Sequence, residues 1–347
     1  MINFRKKLEM DEKNILSPFA SLSSKSRGRI KKEKKCSFRT DYQRDRDRII
    51  HSKSFRRLKD KTQVFLAPYG DHFRTRLTHV LEVSQISRTI SRSLGLNEDL
   101  SEAIALGHDL GHTPFGHAGE QALDKIHKNG FKHYMQSLRI VELLEKNGKG
   151  LNLTFEVRDG ISKHSKGRGP IINKRIKIQT LEGQVVRLSD IFAYFTHDLD
   201  DAIRSSLIKK NDIPIKLLRY FGDRHSERIS KVVTDTITDT MDKNFKSISI
   251  SKEMESNLVD MRSFLFKKVY YNKEIKVNFE KAKKILIDLY SFFLINKKAL
   301  REYYKYDSGN YRNDCCDFIA GMTDDFALEM HKSIFIPKKW SFVDFKI

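Results

Sequence analysis

The chain of 347 residues is poor in cysteine and proline and has no long apolar run. Its 3 cysteines, Cys36, Cys315 and Cys316, lack the C-x-x-C spacing of a redox or zinc motif, so we expect a reducing, cytoplasmic setting without disulfides. No stretch reaches the roughly 18 apolar residues of a membrane span, and the opening MINFRKKLEM lacks the apolar core of a signal peptide. The 6 prolines leave room for many uninterrupted helices.

Acidic residues are in deficit as well. Lys and Arg number 66 against 45 Asp and Glu, and the resulting net charge of +21 attracts polyanions. Nucleic acids, nucleotides and acidic membrane surfaces all fit that charge, although a generally basic proteome would also produce it. Hydrophobic residues make up 39% and aromatic residues 10%, which is the composition of a globular protein with one large domain or two ordinary ones.

Helical periodicity dominates the chain. Val83, Ile86 and Ile90 recur at helical spacing, Asn97 can cap the next helix, and a longer apolar stripe predicts a helix over about 178–203. The Gly-rich segment before that helix is interpreted as a short helix and a loop. Three later segments are again helix-periodic: about 252–272, 278–305 and 314–331. Because neither a sustained strand pattern nor an internal repeat is present, the sequence predicts an all-α fold.

Composition also suggests a division of the chain into three parts. Residues 1–40 are polar, basic and rich in Ser and Lys, which predicts a mobile arm that is partly helical near its start. Residues 41–205 hold the strongest helix patterns and are predicted to form the core. Residues 206–347 are predicted to be helices that complete the same domain.

Titratable side chains concentrate in GHDLGHTPFGHAGE, residues 107–120. The adjacent His108 and Asp109, near the end of a predicted helix, can hold a metal ion between them if other helices supply further ligands. His79 lies on the preceding amphipathic helix, and Asp190 interrupts the apolar stripe of the long helix, where a buried carboxylate is costly unless it is paired or ligating. Taken singly, His79 could be a surface or core histidine and Asp190 an exposed helical acid. Their order along successive helices favours a metal site.

The order His79, His108-Asp109, Asp190 resembles the metal-binding signature of the HD superfamily of phosphohydrolases. Longer sequence segments resemble one family within this superfamily, the bacterial deoxyguanosine triphosphate triphosphohydrolases, over roughly residues 40 to 330. The matching words are RDRIIHSKSFRRLKDKTQVF (45–64), GDHFRTRLTHVLEVSQI (70–86), HDLGHTPFGHAGE (108–120), LEGQVVRLSDIFAYFTHDLDDAI (181–203) and DFIAGMTDDFAL (317–328). The resemblance implies an HD-domain helical bundle with additional C-terminal helices.

This resemblance implies an enzyme that hydrolyses a deoxynucleoside triphosphate to the deoxynucleoside and inorganic triphosphate. It implies a divalent metal ion on His79, His108, Asp109 and Asp190; a mixed His and Asp set suits Mn, Fe, Co or Ni, with Mg also open. It further implies that His117 and Glu120 form the proton-transfer pair, while His112 is assigned to the phosphates or to support of the ligands.

Cationic and polar side chains around these residues are predicted to bind the substrate. Arg76 lies one helical turn before His79, which would aim it at the phosphates. The remaining candidates are Arg57 and Lys61 for the phosphates, Gln63 for the deoxyribose by resemblance to relatives, and Tyr194 for the sugar. Asp198, on the same helix face as Tyr194 and Asp190, could bind the 3′-hydroxyl or hold a lysine on the phosphates. A solvated basic face for Arg57 and Lys61, and a core position for Tyr194, are the alternatives.

The chain departs from the family pattern at a few positions. Tyr134 stands where relatives commonly have Asn, which leaves the role of His133 open, and Phe318 and Asp325 replace the usual Tyr and Arg. Two other functions stay open: an HD phosphohydrolase of other nucleotides, and a nucleic-acid-binding protein, for which the Arg-rich segment 39–57 and the net charge speak. The family also implies a homo-oligomer and suggests single-stranded DNA or a nucleotide as an effector. The preferred base and the metal identity are open.

Overall fold

The computed structural model describes residues 3–63, 74–165, 169–172 and 175–337, and within them the chain is helical. These residues form no β-strand, only isolated bridges that pair Arg29 with Thr154 and Thr62 with Thr75. The all-α prediction is therefore confirmed. In chain order the α-helices are α1 (Phe4–Ile15), α2 (Asp41–Ile50), α3 (Lys53–Arg57), α4 (Arg76–Ser93), α5 (Glu98–Gly107), α6 (Gly116–Ile126), α7 (His133–Arg139), α8 (Glu145–Gly148), α9 (Phe155–Lys163), α10 (Leu181–Arg204), α11 (Ile215–Phe221), α12 (His225–Asp242), α13 (Lys252–Leu265), α14 (Lys273–Ile295), α15 (Lys297–Tyr303), α16 (Tyr311–Ala320) and α17 (Asp324–Phe335).

Short helices of other types extend some of these elements. Turns of 3-10 helix cover Ser23–Lys25, Leu58–Asp60 and Lys210–Asp212, and turns of π-helix follow α7 at Ile140–Leu144 and α13 at Phe266–Tyr270. Single π turns inside helices are often found at functional sites. No helix in the part of the chain that the structure describes is long and apolar enough to cross a membrane.

Side-chain caps fix where the central helices begin. The Asn97 side chain accepts a hydrogen bond from the N–H of Leu100 at 3.2 Å, which confirms the predicted cap of α5. Thr180 caps α10 in the same way through the N–H of Gly183 at 3.1 Å. The helix predicted over about 178–203 is thus confirmed, with its start moved to the residue after this cap.

Buried apolar side chains form two separate clusters. The first cluster lies among α2, α4, α5, α9, α10, α12 and α13 and includes the predicted stripe of Val83, Ile86 and Ile90, all fully buried. The second cluster lies among α6, α14, α16 and α17, with Leu286 and Phe293 at its centre. Each fully buried Leu or Phe contributes about 1.5–3 kcal/mol. Helix α6, which carries the end of the 107–120 segment, therefore belongs with helices more than 150 residues later in the chain.

Part of the segment 3–40 contacts helices of the first cluster. The N–H and hydroxyl of Ser21 both donate to Glu182 on α10 at 2.8 Å, and the N–H of Arg27 donates to Glu156 on α9 at 2.8 Å. Arg29 pairs with the fully buried Asp45 on α2. These contacts pack residues 21–29 against α2, α9 and α10, and the division into 1–40, 41–205 and 206–347 stays a prediction.

Polar contacts join the two clusters at the turn before α6. Phe115 and Gly116 have left-handed backbone angles, with φ of 61° and 53°. Asp324, at the start of α17, accepts hydrogen bonds from the N–H of Phe115 at 2.9 Å and from the N–H of Thr62 at 3.0 Å. Gly111 lies so close to α7 that a Cβ there would be 2.2 Å from the backbone nitrogen of Ser137. The chain between α5 and α6 is therefore held tightly from both sides.

Candidate active site

Three helices of the first cluster bring the predicted metal ligands together. His79 lies on α4, His108 directly follows α5, and Asp190 lies on α10. Nε2 of His79 is 3.1 Å and Nε2 of His108 is 3.7 Å from Oδ1 of Asp190. Asp109 adds Oδ1 at 3.4 Å from Nε2 of His108 and Oδ2 at 3.8 Å from Nε2 of His79. We call these four residues the metal side.

The donor atoms of the metal side fit a divalent ion. Nδ1 of His108 donates to the carbonyl of Ala105 at 2.6 Å, so its Nε2 carries the lone pair, and this buried atom has no hydrogen-bond partner. Two ligands at right angles around an ion, with bonds of about 2.1 Å, lie roughly 3 Å apart. The separations of 3.1 to 3.8 Å are close to that value. His79, His108 and Asp190 also place one donor atom each within 4.8 Å of the others.

The carboxylates of the metal side are held in the ionised form. Burial acts to raise the pKa of Asp109, but the neighbouring His108, His112 and Arg76 outweigh it and hold that pKa well below its usual range. Arg76 contributes directly, since its Nη1 donates to Oδ2 of Asp109 at 2.6 Å. Burial likewise acts against ionisation of Asp190, and the hydrogen bond from His79 reverses it. An ionised pair of this kind is suited to a cation.

A second group of side chains lies beside the metal side: His112, His117, Glu120, His133 and His164, which we call the histidine side. The ring of His112 stacks on the ring of His133 with centroids 4.1 Å apart, and its Nε2 is 3.2 Å from Oδ1 of Asp109. His112 therefore links the two sides. Burial and the charge of Arg76 hold the pKa of His112 well below its usual range, so this ring is neutral.

Glu120 is bonded to His133. Nδ1 of His133 lies 3.0 and 3.1 Å from the two oxygens of Glu120, and its backbone N–H donates to the same carboxylate at 3.0 Å. His117, the predicted partner, lies 3.6 Å from Glu120, beyond hydrogen-bond distance, and its side chain is 54% exposed. His117 and Glu120 are therefore adjacent in space, but the Glu120 carboxylate is bonded to His133, whose role the sequence left open.

A chain of hydrogen bonds continues from Glu120 through two buried histidines. Nδ1 of His164 donates to the carbonyl of Ile161 at 2.7 Å, so its Nε2 accepts, and this atom lies 3.2 Å from Nε2 of His133. His133 then donates from both nitrogens and carries a positive charge. The pKa directions agree, because burial lowers the pKa of His164 to about 3, and for His133 the bond to Glu120 overcomes burial and raises the pKa.

His164 was not predicted from the sequence. It follows α9 in the Gly-rich loop, far along the chain from the 107–120 segment, and nothing in its neighbourhood distinguishes it among the 12 histidines of the chain. In the structure it is fully enclosed, and its Nε2 is 3.8 Å from Oδ1 of Asp109. Only the packing of α9 against α5 and α7 brings it to the site.

The predicted phosphate contacts are placed in different ways. The guanidinium of Arg76 is buried against Asp109 and against the backbone carbonyls of Thr62 and Gln63. The ammonium of Lys61 is buried and donates to the carbonyls of His112 and of Ala320, so it supports the turn before α6, and burial lowers its pKa to about 7.

The remaining two predicted contacts on this part of the chain also differ in exposure. Arg57 is exposed at the end of α3. Gln63 is buried, with no hydrogen-bond partner for its Oε1. The segment that follows it, 64–73, lies outside the described residues, including the first part of the word GDHFRTRLTH.

The predicted sugar contacts lie together on α10 with a tyrosine from the π turn after α13. Tyr194 stacks on Tyr270 with ring centroids 5.8 Å apart, and the hydroxyl of Tyr270 donates to Asp198. Burial raises the pKa of Asp198 to about 7, and its Oδ1 has no hydrogen-bond partner. Tyr270 is a further residue that the sequence did not indicate. It reaches α10 only because α13 packs against that helix.

Arg187, three residues before Asp190 on α10, is also new to the site. It is 6% exposed, and its Nε and Nη2 have no hydrogen-bond partner. Burial lowers the pKa of Arg187, with the charge of Asp190 acting in the opposite direction. A buried guanidinium with free donors is expensive unless an anion satisfies it.

Comparison with known proteins places the chain among named relatives. The model of the HD domain matches residues 76–194, and that of the phosphohydrolase-associated domain matches residues 248–333. A protein of Caldanaerobacter subterraneus subsp. tengcongensis is 53% identical over 331 residues, covering 95% of each chain. Proteins of Desulfatibacillum aliphaticivorans and Clostridium tetani are 47% and 46% identical, covering 97% of this chain and 99% and 97% of theirs. Each of the three is named a deoxyguanosinetriphosphate triphosphohydrolase-like protein.

Proposed function

The chain belongs to the family of deoxyguanosinetriphosphate triphosphohydrolase-like proteins, and from this premise we propose that it hydrolyses deoxynucleoside triphosphates to the deoxynucleoside and inorganic triphosphate. Family and HD domain support the coarser statement, that the protein is a hydrolase acting on deoxynucleoside triphosphates. The observation that carries the proposal is the meeting of His79, His108, Asp109 and Asp190 beside a carboxylate-bound histidine.

The metal side is proposed to hold the divalent ion, through His79, His108, Asp109 and Asp190. When bound, the ion would polarise an oxygen of the α-phosphate and lower the pKa of a water molecule. Mn, Fe, Co, Ni and Mg all remain open, since mixed His and Asp ligands do not select among them. Arg76 would keep Asp109 ionised and oriented through its 2.6 Å hydrogen bond.

The histidine side is proposed to transfer the proton that the reaction requires. Water attacks the α-phosphorus, the bond to the 5′ oxygen of the nucleoside breaks, and that oxygen takes up a proton as it leaves. His117 and Glu120 stay the proposed pair for this transfer, and His133 joins them because it holds the same carboxylate at 3.0 Å. His112 is neutral and stacks between His133 and Asp109, a position suited to contact with the phosphates.

Binding of the substrate is proposed to use both charge and shape. A triphosphate carries about four negative charges, which need cationic donors. The free nitrogens of Arg187 and the net charge of +21 support such binding, with Arg57 at the exposed edge. Tyr194 and Asp198, with Tyr270 behind them, are proposed to pack on the deoxyribose and to exclude a 2′-hydroxyl, and Gln63 to contact the sugar.

The experiment that tests the proposal follows both product and oxygen. The full-length protein is incubated with each of the four common dNTPs and Mn²⁺ or Mg²⁺, and the products are separated by anion-exchange chromatography. We expect inorganic triphosphate and deoxynucleoside; in water labelled with oxygen-18, the label should enter the triphosphate and not the nucleoside. Release of pyrophosphate or phosphate, or label in the nucleoside, would overturn the proposed reaction. Asp190→Asn serves as the inactive control.

The other two functions give different outcomes when nucleoside monophosphates and DNA are tested alongside the dNTPs. An HD phosphohydrolase of other nucleotides would release phosphate from nucleoside monophosphates and leave dNTPs intact. A nucleic-acid-binding protein would turn over none of these and would bind DNA with a steep dependence on salt, as the basic segment 39–57 suggests. A homo-oligomer, activation by single-stranded DNA or a nucleotide, and a cytoplasmic location stay predictions.

A further inference from the structure

A second histidine-carboxylate cluster lies outside the metal and histidine sides. Glu82 on α4, His197 on α10 and His225 at the start of α12 place one donor atom each within 4.8 Å of the others. We propose that these three side chains bind a second divalent cation of the zinc class. This proposal concerns an ion distinct from the one on the metal side, and it does not rest on the proposed function.

The donor atoms of the cluster lie at distances that one bound ion could span. Nε2 of His197 faces Oε2 of Glu82 at 2.8 Å. Two ligand atoms on one ion, with bonds of about 2.0 Å, lie roughly 2.8 Å apart at a right angle and roughly 3.3 Å apart at the tetrahedral angle. His197 is fully buried and its Nδ1 has no hydrogen-bond partner, which is uncommon for a buried polar atom.

Each of two carboxylates at the cluster contacts an arginine with one oxygen and a histidine with the other. Oε1 of Glu82 accepts from Arg74 at 3.2 Å, which leaves Oε2 facing His197. In the same way Oδ1 of Asp200 forms an ion pair with Arg228, and Oδ2 lies 2.8 Å from Nδ1 of His225. A carboxylate beside Nδ1 orients a histidine so that its Nε2 faces a metal ion, an arrangement common around zinc.

Chemistry and access indicate which ion would bind. Two imidazoles and one carboxylate are a ligand set for Zn²⁺, Co²⁺ or Ni²⁺, with water completing the coordination. The side chains of Glu82 and His225 are 33% and 31% exposed, which leaves the ion a path from solvent.

The cluster is separate from the metal side but close to it. The rings of His79 and His197 contact edge to face with centroids 5.8 Å apart, and the two groups share no residue. An ion bound by Glu82, His197 and His225 would tie α12 to α4 and α10, the two helices that carry His79 and Asp190. We therefore assign it a structural role beside the reaction.

The test measures zinc binding by the full-length chain after the metal side has been disabled. His108→Ala with Asp109→Ala is the background, dialysed against EDTA and titrated with Zn²⁺ by calorimetry, and with Co²⁺ by its visible absorption. We expect about one Zn²⁺ per chain in this background. Adding His225→Ala should abolish that binding. His331→Ala, which removes another histidine paired to a carboxylate, Asp288 at 3.1 Å, is the matched control and should keep it.

Two outcomes would overturn the proposal: a background chain that binds no Zn²⁺, or a His225→Ala chain that binds it unchanged. Circular dichroism of each metal-free variant separates loss of the ligand from loss of the fold. If His225→Ala does not fold, Glu82→Gln in the same background replaces it, since that side chain keeps its shape and loses its charge. Glu82→Gln is also expected to lose the Zn²⁺, and unchanged binding there counts equally against the proposal.

Discussion

The metal side and the histidine side lie next to each other, but they are built differently. His79, His108 and Asp190 all come from helices of the first cluster, and their geometry depends on one core. The histidine side is gathered from α6, α7, the end of α9 and the turn before α6, and Glu120 belongs to a helix of the second cluster. Metal binding should therefore depend on one core only, whereas proton transfer should depend on the fit between two.

The largest effect is expected from a variant that disrupts the metal side. Asp109→Ala removes a carboxylate that faces His79 and His108 and leaves Arg76 unpaired and buried, so we expect loss of both bound metal and turnover. Metal content by mass spectrometry and triphosphate release measure the two properties separately. Full metal content combined with normal turnover would remove Asp109 from the site.

A smaller effect is expected when the histidine side alone is broken. Glu120→Gln should retain the metal and lose about 10²–10⁴-fold in kcat, because the carboxylate that holds His133 loses its charge. His133→Asn should give a similar loss, and the double variant should be no worse than either single variant, since both break one contact.

His117→Ala should also retain the metal and lose about 10²–10⁴-fold in kcat if the His117 side chain transfers the proton. Metal loss in any of these variants would contradict the division into two sides.

The pH dependence of kcat tests whether the histidine side controls the rate. The bond to Glu120 raises the pKa of His133, so the charged ring persists to higher pH than an unpaired histidine would allow. In Glu120→Gln that support is gone and the pKa falls. The limb of the kcat profile that reports the protonated histidine should therefore move to lower pH, while a profile that stays in place would show that His133 does not control the rate.

Arg187 tests whether the first cluster also supplies a phosphate contact. A charge-assisted hydrogen bond contributes about 1.5–3 kcal/mol, so Arg187→Gln should lower kcat/KM by roughly 10–100-fold with the metal retained. Arg92→Gln, which removes an exposed arginine bonded to Glu98 at 2.6 Å, is the matched control and should leave kcat/KM unchanged. Equal kcat/KM for wild type and Arg187→Gln would exclude this contact.

The smallest expected effect concerns the hydrogen bonds that join the two sides. Ser137 on α7 donates to the carbonyl of His108 at 2.6 Å and accepts from the N–H of Gly111 at 2.9 Å. Ser137→Ala should destabilise the fold by about 1–3 kcal/mol, because it leaves two buried backbone groups unpaired. Urea denaturation measures this change. We expect the metal content to stay the same, and an unchanged midpoint would show that the link contributes nothing.

Local sequence indicates which residues of the metal side come together, but it does not indicate the contacts of the histidine side, and the reason is physical. His79, Asp190 and the stripe around Val83 follow helical periodicity, which local sequence specifies directly. Spacing also places His117 and Glu120 one turn apart, but it does not reveal that His133 occupies the carboxylate. His164 and Tyr270 reach the site through packing between distant helices, and the burial of Lys61 on backbone carbonyls depends on α16. Contacts of that kind leave no periodic trace in the sequence.

Asp324 has a consequence for the order in which the protein is made. Its two oxygens hold the turn before α6 and the backbone of Thr62, yet it lies at the start of α17, so it leaves the ribosome after all the other helices of the described residues. Residues of the metal side leave the ribosome much earlier, since the last of them is Asp190. During synthesis the residues of the metal side are thus all outside the ribosome well before the turn that leads to His117 and Glu120 is anchored.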